Sequence, residues 1–353
     1  MAGSGNRWPN IRAWMDAIVR GWHRLRSNER NRPLPPEPML TSADSAPAPP
    51  AEIAPASADA KGDSRPKSSE LRRLTRVELT FQVVDLLFRE YQSHRESRRG
   101  NEELGWLLLG ERGEDWARVT ATLPAGEYRE ASAVHIRMNA DGQVLGHRIL
   151  SQSVPNLTLL GIAHTHPGSL RVPSGGDYAG DSVWVRRLVG QEGIFAIGTA
   201  DGKSDPRPDE FPDGDAERPG DADIRWHWYK LAHGDAHYSD LPITIVDGND
   251  AAAHLRPVWP IIERYAVRLD RLARQLSRVR FEIPEIDESS EQTPLLKVEV
   301  TLPERNSYLW VVMDGQNIQY FWVRDGKILQ PNLEEPAPDC GVYRMLAELA
   351  NRP

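Results

Sequence analysis

Apolar and polar positions change period several times along the chain, and each change marks an element. In residues 8–26 (WPNIRAWMDAIVRGWHRLR) Ile11, Trp14, Met15, Ile18, Val19, Trp22 and Leu25 recur at the steps of one helical face. Arg12, Arg20, Arg24 and Arg26 are left for the remaining surface, so residues 1–30 are expected to hold an amphipathic helix. From 31 to 69 the pattern vanishes. This stretch is rich in Pro, Ala, Ser and Asp, and such a segment buries too little apolar area to offset its ordering entropy. A disordered linker is expected there.

The pattern resumes near Glu70. Residues 76–97 (RVELTFQVVDLLFREYQSHRES) read as a short strand and then a helix with Val83, Val84, Leu87, Phe88 and Tyr91 inward. Strands are expected at 105–110, 116–123 and 132–138, and a helix at 141–152 despite two glycines. LTLLGIA (157–163) is short and continuously apolar, as a buried strand is, and it ends at HTHP, where Pro167 stops it. Ser174 is placed to N-cap a helix running to about 189, and GIFAIGT (193–199) is another buried strand. Residues 200–223 form a polar, acidic, Gly/Pro-rich insertion too long for a simple turn. Strands at 224–232 and 237–246 close a main domain expected over 70–250. A helix at about 256–279 then leads into a smaller α+β appendage, 251–353 in all. Its strands lie near 294–301, 308–313 and 318–323, with a terminal helix at 340–350. Trp310, Tyr320, Phe321 and Trp322 read as the core of its sheet.

Composition removes several classes of function. A formal charge of −8 over 353 residues supplies no basic field to displace phosphate counterions, which argues against nucleic acid as a partner. The lone cysteine, Cys340 in a Pro/Asp-rich turn, excludes an internal disulfide framework and cysteine-ligated zinc. No run approaches the ~20 apolar residues that span a bilayer, and Arg12, Asp16 and Arg20 interrupt any secretory core. A cytoplasmic protein without a stable membrane anchor is expected; its mean hydropathy is −0.54.

The chemistry lies at the end of the strand 157–163. His164 and His166 stand at i and i+2, so on an extended chain they project to the same side. Ser174 and Asp177 complete a pattern H-x-H-x7-S-x2-D, with Asp177 in the first turn of the following helix. Two imidazoles and a carboxylate leave a tetrahedral zinc ion one open position for water, which marks a catalytic rather than a structural site. Zinc lowers the pKa of such a water toward ~7. A general base is still needed, and Glu102 in NEELGWLLLG is the favoured residue, by its spacing to Gly105. Glu103 takes that role if the strand register differs by one, because neighbours on a strand face opposite ways. His227, His233 and His237 read as ordinary strand and turn histidines.

These residues resemble the JAB/MPN metalloproteases that carry the JAMM motif: E-x-x-G as Glu102-Glu103-Leu104-Gly105, then HTHPGSLRVPSGGD with its H-T-H-P and S-x2-D. The resemblance covers about residues 75–246. It implies a curved β-sheet flanked by helices, so the expected fold class is α+β. It also implies hydrolysis of peptide or isopeptide bonds, with zinc on His164, His166 and Asp177, metal-bound water as nucleophile, Glu102 as general acid/base and Ser174 stabilising the oxyanion. The expected substrate is a ubiquitin-like protein or its conjugate. The N-terminal helix is expected to dock a protein, one of the same conjugation pathway, with an interfacial membrane helix or packing on its own domain as the other readings. A peptidase acting on cell-wall or phage-tail peptides, or a non-catalytic scaffold, are the alternatives.

Overall fold

In an eight-stranded sheet the first and last strands of a flat array lie roughly 33 Å apart. Here the chain steps from one edge strand to the other through Leu241 and Pro242 alone, a path of three Cα steps that reaches about 11 Å at most. The sheet must therefore roll until its edges meet. This geometry is that of a computed structural model, which describes residues 71–200, 224–284 and 293–351. The described residues up to Pro284 and from Pro294 onward form one compact unit. The other unit, Met1–Pro50 with Glu285–Thr293, falls almost wholly outside the described residues. So do the expected N-terminal helix, the linker and the acidic insertion, Ala200 apart.

The strands of the rolled sheet are β1 (Arg76–Thr80), β2 (Gly105–Arg112), β3 (Trp116–Pro124), β6 (Thr158–Thr165), β7 (Glu192–Thr199), β8 (Arg225–Ala232), β9 (Ser239–Asp240) and β10 (Ile243–Val246), in the order β10-β1-β3-β2-β6-β7-β8-β9. β1 pairs parallel with β10 and β3, and β6 with β7, while the remaining pairs are antiparallel. The expected single strand 237–246 is thus two strands on opposite edges. Pro242 breaks the run, having no N–H to give a ladder. The seam between the edges is tied by polar contacts. Arg73 donates twice to Asp235, at 2.7 Å each, Leu74 N–H donates to Glu192 Oε2 at 2.7 Å, and Lys230 Nζ donates to the Leu74 carbonyl.

Helix α1 (Phe81–Arg95) packs on one face of this sheet, where Val83, Leu86, Leu87 and Tyr91 meet Trp106, Leu108, Val119, Ile194 and Trp226. Helix α2 (Ala140–Ser151) lies on the other face, on Leu107, Leu109, Ala121 and Leu123. It starts at Asn139, whose side chain accepts from Gly142 N–H. The expected strand 132–138 is a small hairpin instead, β4 (Glu130–Ser132) and β5 (His135–Arg137). It packs beside Gly105, where a Cβ would lie 3.0 Å from Met138 Cε and 3.1 Å from Ile136 Cδ1, so a side chain there would push the hairpin away.

Beyond β10 the chain runs through a 3₁₀ turn into helix α4 (Trp259–Gln275) and an antiparallel sheet. That sheet is β11 (Val279–Glu282), β12 (Leu296–Thr301), β13 (Ser307–Met313), β14 (Ile318–Arg324) and β15 (Lys327–Leu329), and helix α5 (Pro338–Ala350) follows it. β11 and β15 extend the three expected strands, and Cys340 lies exposed in the first turn of α5 rather than in a turn before it. Alternate residues of the sheet, Leu296, Val298, Val300, Leu309, Val311 and Tyr320, join Ile262, Ala266, Leu269 and Leu272 of α4 and Leu145 and Ile149 of α2 in one apolar cluster.

Candidate metal centre

Strand β6 ends at Thr165, and its last residues bring two imidazoles to one point. His164 Nε2 and His166 Nε2 are 3.1 Å apart. Helix α3 (Gly175–Trp184) begins opposite them with Ser174 as its N-cap. Ser174 Oγ accepts from Asp177 N–H at 3.2 Å and Ser174 N–H donates to Asp177 Oδ2 at 2.6 Å, a reciprocal capping box. The box points the Asp177 carboxylate back at the histidines, with Oδ1 3.3 Å from His164 Nε2 and Oδ2 3.5 Å from His166 Nε2. Among the described residues, this trio is the group of histidines and carboxylates whose ligand atoms converge closely enough to hold a metal.

The distances can be set against zinc. Bonds of about 2.0–2.2 Å at tetrahedral angles leave ligand atoms roughly 3.3–3.5 Å apart, and the three separations here run from 3.1 to 3.5 Å. The donor set fits the ion. His166 is also oriented from behind: Nδ1–H donates to the Leu170 carbonyl at 2.7 Å, so that the neutral ring turns Nε2 toward the cluster as its free lone pair. Burial alone would lower the His166 pKa, but hydrogen bonds to Asp177 and the Leu170 carbonyl outweigh it and hold it above its ordinary value. Burial would likewise raise the Asp177 pKa. Hydrogen bonds from His164 and His166 reverse that and hold the carboxylate ionised.

The two glutamates separate. Gly105 of β2 pairs with His164 of β6, so both lie on one face, and counting back by two puts Glu103 on that face as well. Glu103 is 3% exposed, and burial pushes its pKa up to about 7; His166 opposes the shift and Asp177 adds to it. Glu102 faces the other way. Its carboxylate is paired with Arg99 Nε at 2.6 Å, near the surface. The structure thus brings Glu103, and not the expected Glu102, to the histidines. Ser174 stands at the site as the cap that orients Asp177.

Helix α3 buries no residue fully. It is held by Tyr178 Oη donating to the Asp235 carbonyl and by Tyr238 Oη donating to Asp181 Oδ2, each at 2.8 Å. These anchors, and the Leu170 carbonyl, were not singled out from the sequence.

The rolled mixed sheet thus carries, between a strand end and a helix start, a two-histidine, one-aspartate cluster that could hold a metal ion. Residues 86–207 match the family described as prokaryotic homologs of the JAB domain, so the chain carries a JAB/MPN-type domain there. Glu102, Glu103, His164, His166, Ser174 and Asp177 fall inside the match. A similar solved structure is the solution structure of protein DSY2949 from Desulfitobacterium hafniense. The two share 15% sequence identity at a TM-score of 0.33, over 49% of this chain and 94% of that one. No curated protein matches the chain. Among the described residues no helix is long and apolar enough to cross a membrane.

Proposed function

We propose that this chain is a zinc-dependent peptidase or isopeptidase of the JAMM type, with the metal on His164, His166 and Asp177 and with Glu103 as the general acid/base. The observation that carries the reading is the buried Glu103 carboxylate, whose pKa of about 7 lies on the sheet face of the two histidines. A general base works best with a pKa near the operating pH. A zinc ion bound by this trio would polarise the scissile carbonyl and lower the pKa of a water to about 7.

The chain's own groups divide the remaining work. The Leu170 carbonyl holds His166 in the tautomer that offers Nε2 to the metal. The capping box aims Asp177. Glu103, on the same face of the sheet, accepts a proton as the nucleophile forms and returns it to the leaving amine. His164, His166 and Glu103 are themselves buried, so their charges act where water screens them little.

The substrate assignment rests on the JAMM resemblance: the bond cleaved joins the C-terminal tail of a ubiquitin-like protein to an amine. The N-terminal segment is assigned to docking a protein of that pathway. The test is incubation of the purified chain with ubiquitin-like fusion proteins, with and without a chelator. Cleavage is expected, inhibited by chelation, restored by zinc and absent from Glu103→Gln. An active Glu103→Gln variant would refute the assignment.

A further inference from the structure

Two polar side chains on α1 have no part in the chemistry above, although they lie directly behind it. Tyr91 and His94 are three residues apart, hence on one side of the helix, and are 1% and 8% exposed. Around them the helix buries Val83, Leu86 and Leu87, so shape alone would be met by phenylalanine and leucine. What the two polar groups do instead is bond backbone carbonyls at the site. Tyr91 Oη donates to the His166 carbonyl at 3.3 Å, and His94 Nε2 donates to the Glu102 carbonyl at 2.9 Å.

Each carbonyl belongs to a peptide plane that sets a functional side chain. The His166 carbonyl lies past the end of β6 and is followed by Pro167, which has no N–H to carry a ladder onward. His166 N–H is already held by the Gly198 carbonyl at 2.8 Å, so the Tyr91 hydroxyl fixes the other side of this residue's backbone. The Glu102 carbonyl shares its peptide plane with Glu103 N–H, which donates to the Ser132 carbonyl at 2.7 Å. His94 and the β4 hairpin thus grip the two ends of the plane from which the Glu103 side chain departs. A shift of that plane re-aims the carboxylate, and a shift at His166 re-aims a metal ligand.

We infer that Tyr91 and His94 are positioning residues, Tyr91 for the His166 ligand and His94 for the Glu103 carboxylate, so that one helix behind the sheet sets both halves of the site in front of it. The inference rests on the zinc peptidase reading. It separates the two residues by what they affect: Tyr91 acts on metal affinity, His94 on turnover.

The experiment measures zinc affinity by chelator competition and kcat and KM on a ubiquitin-like fusion, with thermal melts of each metal-free variant. Tyr91→Phe keeps the ring in its core and removes one hydroxyl. It is expected to weaken zinc binding about 10-fold, the low end for loss of a group that orients a ligand. His94→Leu is expected to retain zinc affinity and KM while kcat falls about 10-fold or more. His94→Gln, whose amide can donate to the same carbonyl, is expected to recover most of that loss. Wild-type zinc affinity in Tyr91→Phe would overturn the Tyr91 assignment. A glutamine variant as impaired as the leucine one would overturn that of His94. Losses that simply follow the melting temperature in all three variants would overturn both. Wild-type protein that binds no zinc would instead sink the metal reading beneath them. Wild-type protein that binds zinc but leaves the fusion intact would sink the peptidase reading and the His94 assignment with it.

Discussion

Replacing Glu103 by glutamine should remove activity and, at alkaline pH, stabilise the metal-free protein. Unfolded, a glutamate titrates near 4.5; in the fold Glu103 titrates at about 7, because burial disfavours its charge. Between those values the folded chain holds a proton that the unfolded chain has released. Stability therefore falls as pH rises through that window. A gap of about 2.5 units, at 1.36 kcal/mol per unit, makes the loss about 3 kcal/mol above the folded pKa and zero well below 4.5. Glutamine has nearly the same shape and no charge to desolvate. Glu103→Gln should then be about 3 kcal/mol more stable than wild type at pH 8, and much closer to it at pH 5. For a domain of this size that corresponds to a rise in Tm of roughly 6–12 °C. Glu102→Gln breaks only a pair whose side chains are 37% and 31% exposed, so it should cost less than about 1 kcal/mol at either pH. Melting curves followed by circular dichroism on chelator-treated protein at the two pH values decide the matter. A gain in Glu103→Gln no larger at pH 8 than at pH 5, or a gain appearing in Glu102→Gln, would show that the buried carboxylate has been misplaced.

Zinc content should be about one ion per chain, lost in the His164→Ala, His166→Ala double variant and much weakened in Asp177→Ala; full occupancy in the double variant would refute the ligand set. Because its hydrogen bonds hold the His166 pKa above the ordinary value, protons compete for that ligand, and zinc affinity should already be falling as pH drops toward about 6.5. Ser174→Ala should cost about 1 kcal/mol through the lost cap, and a fall in kcat of about 10²-fold at unchanged KM would add the oxyanion role to it. Asp250, whose side chain is fully buried and accepts from Thr122 N, Thr122 Oγ1 and Ala252 N, should cost about 3 kcal/mol as alanine without changing zinc affinity. Deleting residues 1–69 should leave cleavage of a small soluble fusion unchanged and weaken capture of a pathway partner; lost intrinsic activity would count against the docking assignment.

What the sequence made legible was local. The H-x-H step at a strand end, the Ser174 cap and the Asp177 turn each depend on residues within one element or on its boundary, and the structure assembles them as a capping box aimed at two imidazoles. The helices α1 and α2 and the strands β2, β3, β6, β7 and β8 were legible for the same reason: each carries its own period or apolar run. Illegible were the features set by contacts far along the chain. The break at Pro242 looks like an interruption within one strand. Only the closing of the sheet makes it a crossing between edges, with Val77 N–H taking the Pro242 carbonyl on the far side.

Which of Glu102 and Glu103 faces the histidines is illegible for the same kind of reason, and that reason bears on the site itself. Telling the faces of a strand apart needs an alternation of apolar and polar residues, and WLLLG and LTLLGIA have none. They lack it because the sheet is covered on both sides there: Trp106 and Leu108 face α1, while Leu107 and Leu109 face α2 and α4. Spacing to Gly105 was then the remaining guide, and it picked the residue three positions back, on the opposite face from the glycine. Nor could parity be carried from the far end of the pairing, since the register of β2 against β6 slips between Leu108 and Leu109. Two-sided burial thus erases the signal that would separate Glu103, the proposed base, from Glu102. The same burial raises the Glu103 pKa to about 7 and makes it fit to act as one. In a site built this way, the residue best tuned for proton transfer is the one whose strand pattern says least about where it points.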